Sequence, residues 1–202
     1  IEEKVGEIEW GDFNDFLNLR EDLIKEDKTI EWDISKLRKE IFRKKLCHIT
    51  PEHFRDEIVD KAFEIFIAKR HEIKLFNGVK ESLKKLSKKY TLGVLTNGNA
   101  DIYRFDIGRY FNFSISSLEA KDSKPNRAHF DMAISKVNDI SFNNILHIGD
   151  HQINDILCAH NLGIDTLWFN NTNQSWSQDF EKPDEFSSWA NLEQIIRNKY
   201  ER

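Results

Sequence analysis

Ile145-Leu146-His147-Ile148-Gly149-Asp150-His151-Gln152-Ile153-Asn154-Asp155 is the stretch that decides the fold. Its apolar half predicts a buried strand, Gly149 lets the backbone turn sharply, and Asn154-Asp155 follows one helical turn later. Asp150 and Asp155 thereby arrive at the same end of one strand. Two carboxylates there are costly unless a cation or a Lys compensates them. Asp150 is a hard oxygen ligand suited to Mg²⁺, which takes one or two carboxylates plus substrate oxygens. Asp155 falls in the first turn of the next helix, where the dipole favours an anion. An N-cap with a supporting carboxylate is the plainer alternative. His147 and His151 flank Asp150 and raise a zinc reading, which finds no third ligand at standard spacing.

Outward from this stretch, strands and helices alternate. Gly78 to Lys89 has the spacing of a helix. Thr91 to Leu95 predicts a buried strand ending at Thr96-Asn97-Gly98, and Phe113-Ser114-Ile115 a short one. Pro125 opens a helix through Phe130, Ala133, Ile134 and Val137. Ile153 to Leu162 forms the next helix, stopped by Gly163. Ile164 to Phe169 is a further strand, Phe186 to Trp189 a short edge strand, and Leu192 to Ile196 a last helix. Such alternation implies a parallel sheet covered on both faces, with ligands beyond the C-terminal strand ends. At one such end Thr96, Asn97 and Gly98 offer a hydroxyl and backbone amides to a phosphate oxygen; a simple Asn-Gly turn is the alternative. Lys124, just before a helix, pairs with a phosphate and nearby carboxylates, or is an exposed loop lysine.

The first 72 residues are helical in pattern. Phe13, Phe16, Leu17, Leu23 and Ile24 recur at helix spacing. Asp33 is an N-cap for a helix carrying Ile34, Leu37, Ile41 and Phe42. Thr50-Pro51 is a stronger start, for a helix with Phe54, Ile58, Ala62, Ile65 and Phe66 on one side. The region predicts a small antiparallel bundle with no chemistry in its spacing. Trp32, Arg38, Phe66 and His71 are candidates to face a site, although core packing also explains the aromatics.

A net charge of −5 argues against non-specific nucleic-acid binding. The basic run from Lys80 to Lys89 is the solvated side of a helix. No apolar stretch approaches the roughly 20 residues of a membrane span. Cys47 and Cys158 fit no metal spacing, and Cys158 is expected as a buried free thiol in a reducing, cytoplasmic protein. The chain begins at Ile1, not Met, inside a charged amphipathic segment without a signal peptide, and this start has the look of a cut.

The ordered segments around Thr96, Lys124 and Asp150–Asp155 resemble the haloacid dehalogenase-like (HAD) hydrolase superfamily. The resemblance covers residues from about 73 to 170, and the helical residues before it look like that family's inserted cap. It implies an α/β fold, with a Rossmann-like parallel sheet bearing helices on both faces plus an α-helical cap. The domains are then a cap over 1–72 and a core over 73–202 that lacks its first strand. Thr96 matches the residue that hydrogen-bonds the transferring phosphoryl group. Lys124 matches the Lys that neutralises it. Asp150 and Asp155 match the Mg²⁺ ligand and its supporting carboxylate. The Leu95-Thr96-Asn97-Gly98-Asn99 run and the helical region look most like flavin-pathway nucleotide phosphatases.

The resemblance also implies an Asp-x-Asp at the end of a first, central strand, carrying nucleophile and general acid. No Asp-x-Asp occurs in this sequence. Five buried apolar side chains, at roughly 1.5–3 kcal/mol each, amount to on the order of 10 kcal/mol, against the about 5–15 kcal/mol by which domains are stable. A slot is therefore expected between the Leu92–Thr96 and Ile145–Ile148 strands, to be filled by an upstream piece, a strand from a partner or a rearranged sheet. The function implied is a Mg²⁺-dependent phosphatase of a small phosphorylated metabolite, working through an aspartyl-phosphate, with the chain alone inactive. The alternatives are a 2-haloacid dehalogenase, which needs no cation, and an inactive phosphate-binding module. A monomer or homodimer without nucleic-acid or membrane partners is expected.

Overall fold

The computed structural model describes residues 7–49, 51–138 and 140–200. The chain divides into two compact units, Ile1–Ile73 with Asn97–Ala100, and Lys74–Thr96 with Asp101–Arg202.

The first unit is helical: α1 (Phe13–Glu26), α2 (Ile34–Lys45) and α3 (Glu52–Arg70). Asp12 caps α1 in a reciprocal box, accepting from Asn14 N at 2.7 Å and Asp15 N at 3.0 Å while Asp15 accepts from Asp12 N at 2.8 Å. Asp33 caps α2 as predicted, accepting from Lys36 N at 2.8 Å. Thr50 lies outside the described residues, and Pro51 stands at the N-cap of α3. Leu23, Ile30, Leu37 and Ile41 form one small core, and Leu46, Ile49, Ile58 and Val59 another. The predicted apolar face of α3 needs correction. Val59 joins Ile58 and Ala62 in the interior, while Phe54 and Ile65 stay 42% and 48% exposed. The helix meets the Leu46–Ile49 core through Ile58 and Val59, Ala62 is buried one turn on, and Phe66 lies under the Arg38 guanidinium, while Phe54 and Ile65 fall outside these contacts.

The second unit is α/β. Strand β1 (Gly93–Thr96) pairs in parallel with β2 (Phe113–Ser116). Strand β3 (Leu146–Gly149) pairs in parallel with β4 (Asp165–Phe169), and β4 with β5 (Asp184–Phe186). The helices are α4 (Val79–Leu86), the single turn α5 (Ser117–Ala120), α6 (Ala128–Lys136), α7 (Cys158–Asn161) and α8 (Leu192–Lys199). Helices α4 and α8 bury Leu86, Leu192 and Ile196 against Leu167 and Phe169, with Leu146 and Ile148 of β3 alongside. On the other side Phe130 of α6 packs with Cys158 and Ile164, and its ring meets His147 edge-on at 5.0 Å between centroids. Alternation along β3 therefore places helices on both faces. Cys158 is the buried free thiol expected, and Cys47 is exposed.

Three local expectations shift. Helix α6 starts at Ala128, after a turn in which Asn126 N donates to Ser123 O at 3.0 Å. Gln152–Leu157 winds as a π-helix before α7, since the His151 carbonyl accepts from both Asp155 N and Ile156 N at 3.0 and 3.3 Å. The edge strand ends at Phe186; Trp189 begins a 3-10 turn whose carbonyl accepts from Ser82 Oγ at 2.5 Å. The basic run is solvated as predicted: Lys80 pairs with Asp106, and Lys85 and Lys89 with Glu193, all partly exposed. Among the described residues no helix is long and apolar enough to cross a membrane.

The strands form a pair and a triplet, and a cavity of about 610 Å³ lies between them. Leu92, Gly93 and Leu95 line it from one side and Ile145, Leu146 and Ile148 from the other. Asn112 N donates to Leu92 O at 2.8 Å, so Leu92 turns its polar groups toward β2. By alternation Gly93 and Leu95 turn theirs to the opposite edge, that of the cavity.

Candidate active site

The ends of β1 and β3 are joined by one buried ion pair. Lys124 Nζ donates to Asp155 Oδ1 at 2.5 Å and to the Leu95 carbonyl at 2.9 Å. Lys124 and Asp155 are only 8% and 6% exposed. The second oxygen, Asp155 Oδ2, accepts from His151 N at 3.0 Å. Lys124 thus holds the residue before Thr96, at the end of β1, and through Asp155 the residue after Asp150, beyond the end of β3. Gly149 makes this approach possible, because a Cβ there would overlap the Cβ and carboxylate of Asp155.

Burial opposes the charge on Asp155, but His147 and Lys124 beside it outweigh that and hold the carboxyl well below the usual carboxylate range. Lys124 is the firm partner. His147 Nε2 lies 3.6 Å from Asp155 Oδ1, beyond hydrogen-bond reach, and has no hydrogen-bond partner among the described residues.

Asp150 behaves differently. Its main-chain carbonyl accepts from Trp168 Nε1 at 3.0 Å. Its side chain is exposed and makes no hydrogen bond or ion pair among the described residues. The N-cap of the following helix is His151, whose Nδ1 accepts from Ile153 N and Asn154 N at 3.2 and 3.1 Å. The capping alternative therefore belongs to His151, and the Asp150 carboxylate is left open. It suits a hard divalent cation that completes its shell with water and substrate oxygens. Asp155, with both oxygens engaged, orients Lys124 and the loop; Asp150 is the carboxylate open to a cation. No group of three or more His, Cys, Asp or Glu arranged to hold a metal occurs among the described residues, so the zinc reading gains nothing.

Thr96 is the last residue of β1, and its carbonyl is 3.2 Å from His129 Nε2. His129 is fully buried, and burial lowers its pKa, so it is a neutral imidazole donating to that carbonyl. Neither His129 nor Trp168 was singled out from the sequence. Trp168 sits in the apolar run of β4, and His129 stands between Ala128 and Phe130 on the buried side of α6. Asn97 and Gly98 belong to the Asn97–Ala100 segment that groups with the helical unit.

A family model described as haloacid dehalogenase-like hydrolase matches residues 15–169. A 5-amino-6-(5-phospho-D-ribitylamino)uracil phosphatase of Escherichia coli strain K12 is 32% identical over 120 residues, 57% of this chain and 50% of that protein. A pyrimidine 5′-nucleotidase of the same strain is 24% identical over 154 residues, 74% of this chain and 65% of that protein. The matched region thus spans about half to two thirds of these curated relatives. Among solved structures, a 2-haloacid dehalogenase from Pseudomonas syringae pv. Tomato DC3000 superposes with a TM-score of 0.86 at 28% identity, covering 97% of this chain and 84% of that one. A HAD phosphatase from Thermococcus onnurineus shares the fold, with a TM-score of 0.57 at 18% identity over 72% of this chain and 70% of that one.

Proposed function

We propose, from the premise that the chain belongs to the haloacid dehalogenase-like hydrolases, that it is the capped core of a Mg²⁺-dependent phosphatase. The substrate class is a small phosphorylated metabolite bearing a pyrimidine ring, a class supported by the two Escherichia coli relatives, a uracil-derivative phosphatase and a pyrimidine 5′-nucleotidase. Residues 1–72 serve as the cap and 73–202 as a core without its first strand, in a cytoplasmic protein.

One observation carries this reading: Lys124 held 2.5 Å from Asp155 and 2.9 Å from the Leu95 carbonyl. A depressed Asp155 pKa keeps that carboxylate ionised across neutral pH, and it fixes the Lys124 amine beside the end of β1. Preorganised charge of this kind stabilises a transferring phosphoryl group without reorganisation in the transition state. The Thr96 hydroxyl donates to a phosphoryl oxygen, and Asp150 would hold Mg²⁺. The cation, when bound, neutralises phosphoryl charge and orients its oxygens.

The attacking carboxylate is not among these residues, since the sequence has no Asp-x-Asp. The chain alone is therefore inactive in this reading. A parallel strand lying in the 610 Å³ cavity between β1 and β3 ends beside Lys124, where that carboxylate is needed. The test is phosphate release from a panel of metabolites by the chain as it stands and by a polypeptide that carries an apolar strand ending in Asp-x-Asp ahead of Ile1. The extended form is expected to release phosphate only with Mg²⁺, and to lose about 10²–10³ in kcat on Lys124→Met. An extended form that binds Mg²⁺ but releases no phosphate from any member of the panel overturns the proposal.

A second reading is favoured by the 2-haloacid dehalogenase superposition at 28% identity. Dehalogenation needs no cation and gives the exposed Asp150 carboxylate no task. Chloride release from a 2-haloacid in the presence of a chelator selects it over the phosphatase.

A further inference from the structure

The peptide group between Asp150 and His151 is held at both of its polar ends. The Asp150 carbonyl accepts from Trp168 Nε1 at 3.0 Å, and the His151 N–H of the same planar unit donates to Asp155 Oδ2 at 3.0 Å. Lys124 locks Asp155 in turn. Two anchors fix the rotation of this unit. They thereby fix the direction in which the exposed Asp150 side chain leaves the end of β3. The Lys124–Asp155 pair accounts for one anchor. The other is an indole to which the phosphatase reading gives no task.

Trp168 pairs with Gly149 in the parallel register of β3 and β4 and is fully buried, although Asp150 is exposed. An indole N–H is a donor only, so burial commits it to the acceptor it finds. Its cover comes from residues 170–180, which run without helix or strand. Trp176 packs on the Trp168 ring with centroids 5.4 Å apart. Phe180 meets Trp176 edge-on at 5.1 Å and stacks on His160 at 3.8 Å. The same segment is clasped to the loop after Asp150. Gln152 Nε2 donates to the Ser175 carbonyl at 2.9 Å, and Gln152 Oε1 accepts from Ser177 N and Ser177 Oγ, both at 3.0 Å. The aromatic cover keeps water, which would compete for the Asp150 carbonyl, from the indole. The strap is thus tied to the loop that the indole braces.

We propose that Trp168 is a positioning residue for Asp150 as a cation ligand, and that residues 170–180, clasped on Gln152, form a strap that keeps the indole on the Asp150 carbonyl. The proposal rests on the phosphatase reading for the cation. It adds residues that act through Asp150 rather than on the cation or the substrate. Removing a group that orients a metal ligand through a hydrogen bond typically weakens metal affinity by about 10–100-fold. Trp168→Phe keeps an aromatic ring against Trp176 and removes the N–H. Gln152→Ala keeps the indole and opens the clasp.

The test is a Mg²⁺ titration of the full chain, followed by the backbone amide signals of Asp150 and His151, in the wild type, Asp150→Asn, Trp168→Phe and Gln152→Ala. Mg²⁺ is expected to move both signals in the wild type and neither in Asp150→Asn. Trp168→Phe is expected to weaken binding about tenfold or more, and Gln152→Ala to weaken it less. A tryptophan that serves packing alone lowers stability in urea and leaves the Mg²⁺ affinity of the folded chain unchanged. Equal dissociation constants for the wild type and Trp168→Phe therefore overturn the proposal. A second readout needs no cation. The order parameter of the His151 amide is expected near the rigid value of about 0.85 in the wild type and lower in Trp168→Phe, while the amides of β3 and β4 hold theirs. An unchanged order parameter also overturns the proposal. If Trp168→Phe does not fold, Gln152→Ala decides: an affinity equal to that of the wild type overturns it. The two readings fail separately. Mg²⁺ bound equally by the wild type and Trp168→Phe sinks only the positioning role. Weakened Mg²⁺ binding in Trp168→Phe, with no phosphate released by the extended form, sinks only the phosphatase. Mg²⁺ that moves no signal in the wild type removes the cation from Asp150 and sinks both.

Discussion

Lys124 and Arg38 are both drawn out of solvent, and their environments are opposite. Lys124, 8% exposed, meets a carboxylate 2.5 Å away and a backbone carbonyl. Arg38, half-buried, meets two aromatic rings and the charge of Arg70. A buried charge with an internal partner is locked in one geometry, which suits it to stabilising a charge that appears only during a reaction. A charge that rests on aromatic faces is held more loosely, since cation–π contacts are weaker than a buried ion pair. The difference separates a charge locked by internal partners in the α/β unit from one held by aromatic packing in the helical unit.

The largest way to break this comparison is Asp155→Ala. It leaves the Lys124 ammonium buried and uncompensated, and urea unfolding is expected to show a loss of about 3–5 kcal/mol. The double variant Lys124→Met/Asp155→Leu removes both charges and is expected to recover most of that stability. A cost below about 1 kcal/mol for the single variant means that the pair is not locked.

Acid sharpens the same point. The folded pKa of Asp155 is depressed, so its contribution is present above the unfolded value near pH 4 and is lost as pH falls through the folded value. Between about pH 4 and pH 2 the wild type is therefore expected to lose stability more steeply than the double variant, measured by urea unfolding at each pH. Parallel slopes remove Asp155 as the source. Gly149→Ala comes next. Its Cβ would press on the Asp155 Cβ and carboxylate, and about 1–3 kcal/mol of destabilisation is expected by urea unfolding, with a smaller cost when Asp155 is also Gly, which removes the Cβ that lies nearest.

The α/β unit was more legible in the sequence than the helical one, and the reason is physical. Ile145 to Ile148 is apolar because β3 is covered by helices on both faces, and the turn at Gly149 leaves Asp150 one place to go. Thr96 was legible because strand ends are fixed by where burial stops; Lys124 lies in the turn ahead of α6, past any strand end, and only the family resemblance marked it over an exposed loop lysine. The split into a strand pair and a strand triplet depends on which edges meet, and that is not written in the spacing of either strand. The π-helical start at Gln152 depends on one carbonyl shared by two amides, which no periodicity records. In the helical unit the short α3 contact made Val59 interior and Phe54 exposed, because small cores bury a turn or two of a helix and the apolar stripe runs on past them. His129 was hidden among apolar neighbours; its role depends on a carbonyl 33 residues away in sequence.

The smallest effect is the most discriminating. Arg38→Met keeps the aliphatic length that packs on Phe16 and Phe66 and removes the charge. Exposed cation–π contacts contribute about 0.5–1 kcal/mol each, and relief from Arg70 offsets part of their loss. The expected change in unfolding free energy is within about 1 kcal/mol, several-fold less than for Asp155→Ala. If Arg38→Met costs as much stability by urea unfolding as breaking the Lys124–Asp155 pair, then the two cations are held alike and the contrast between a locked charge and one resting on aromatic faces falls.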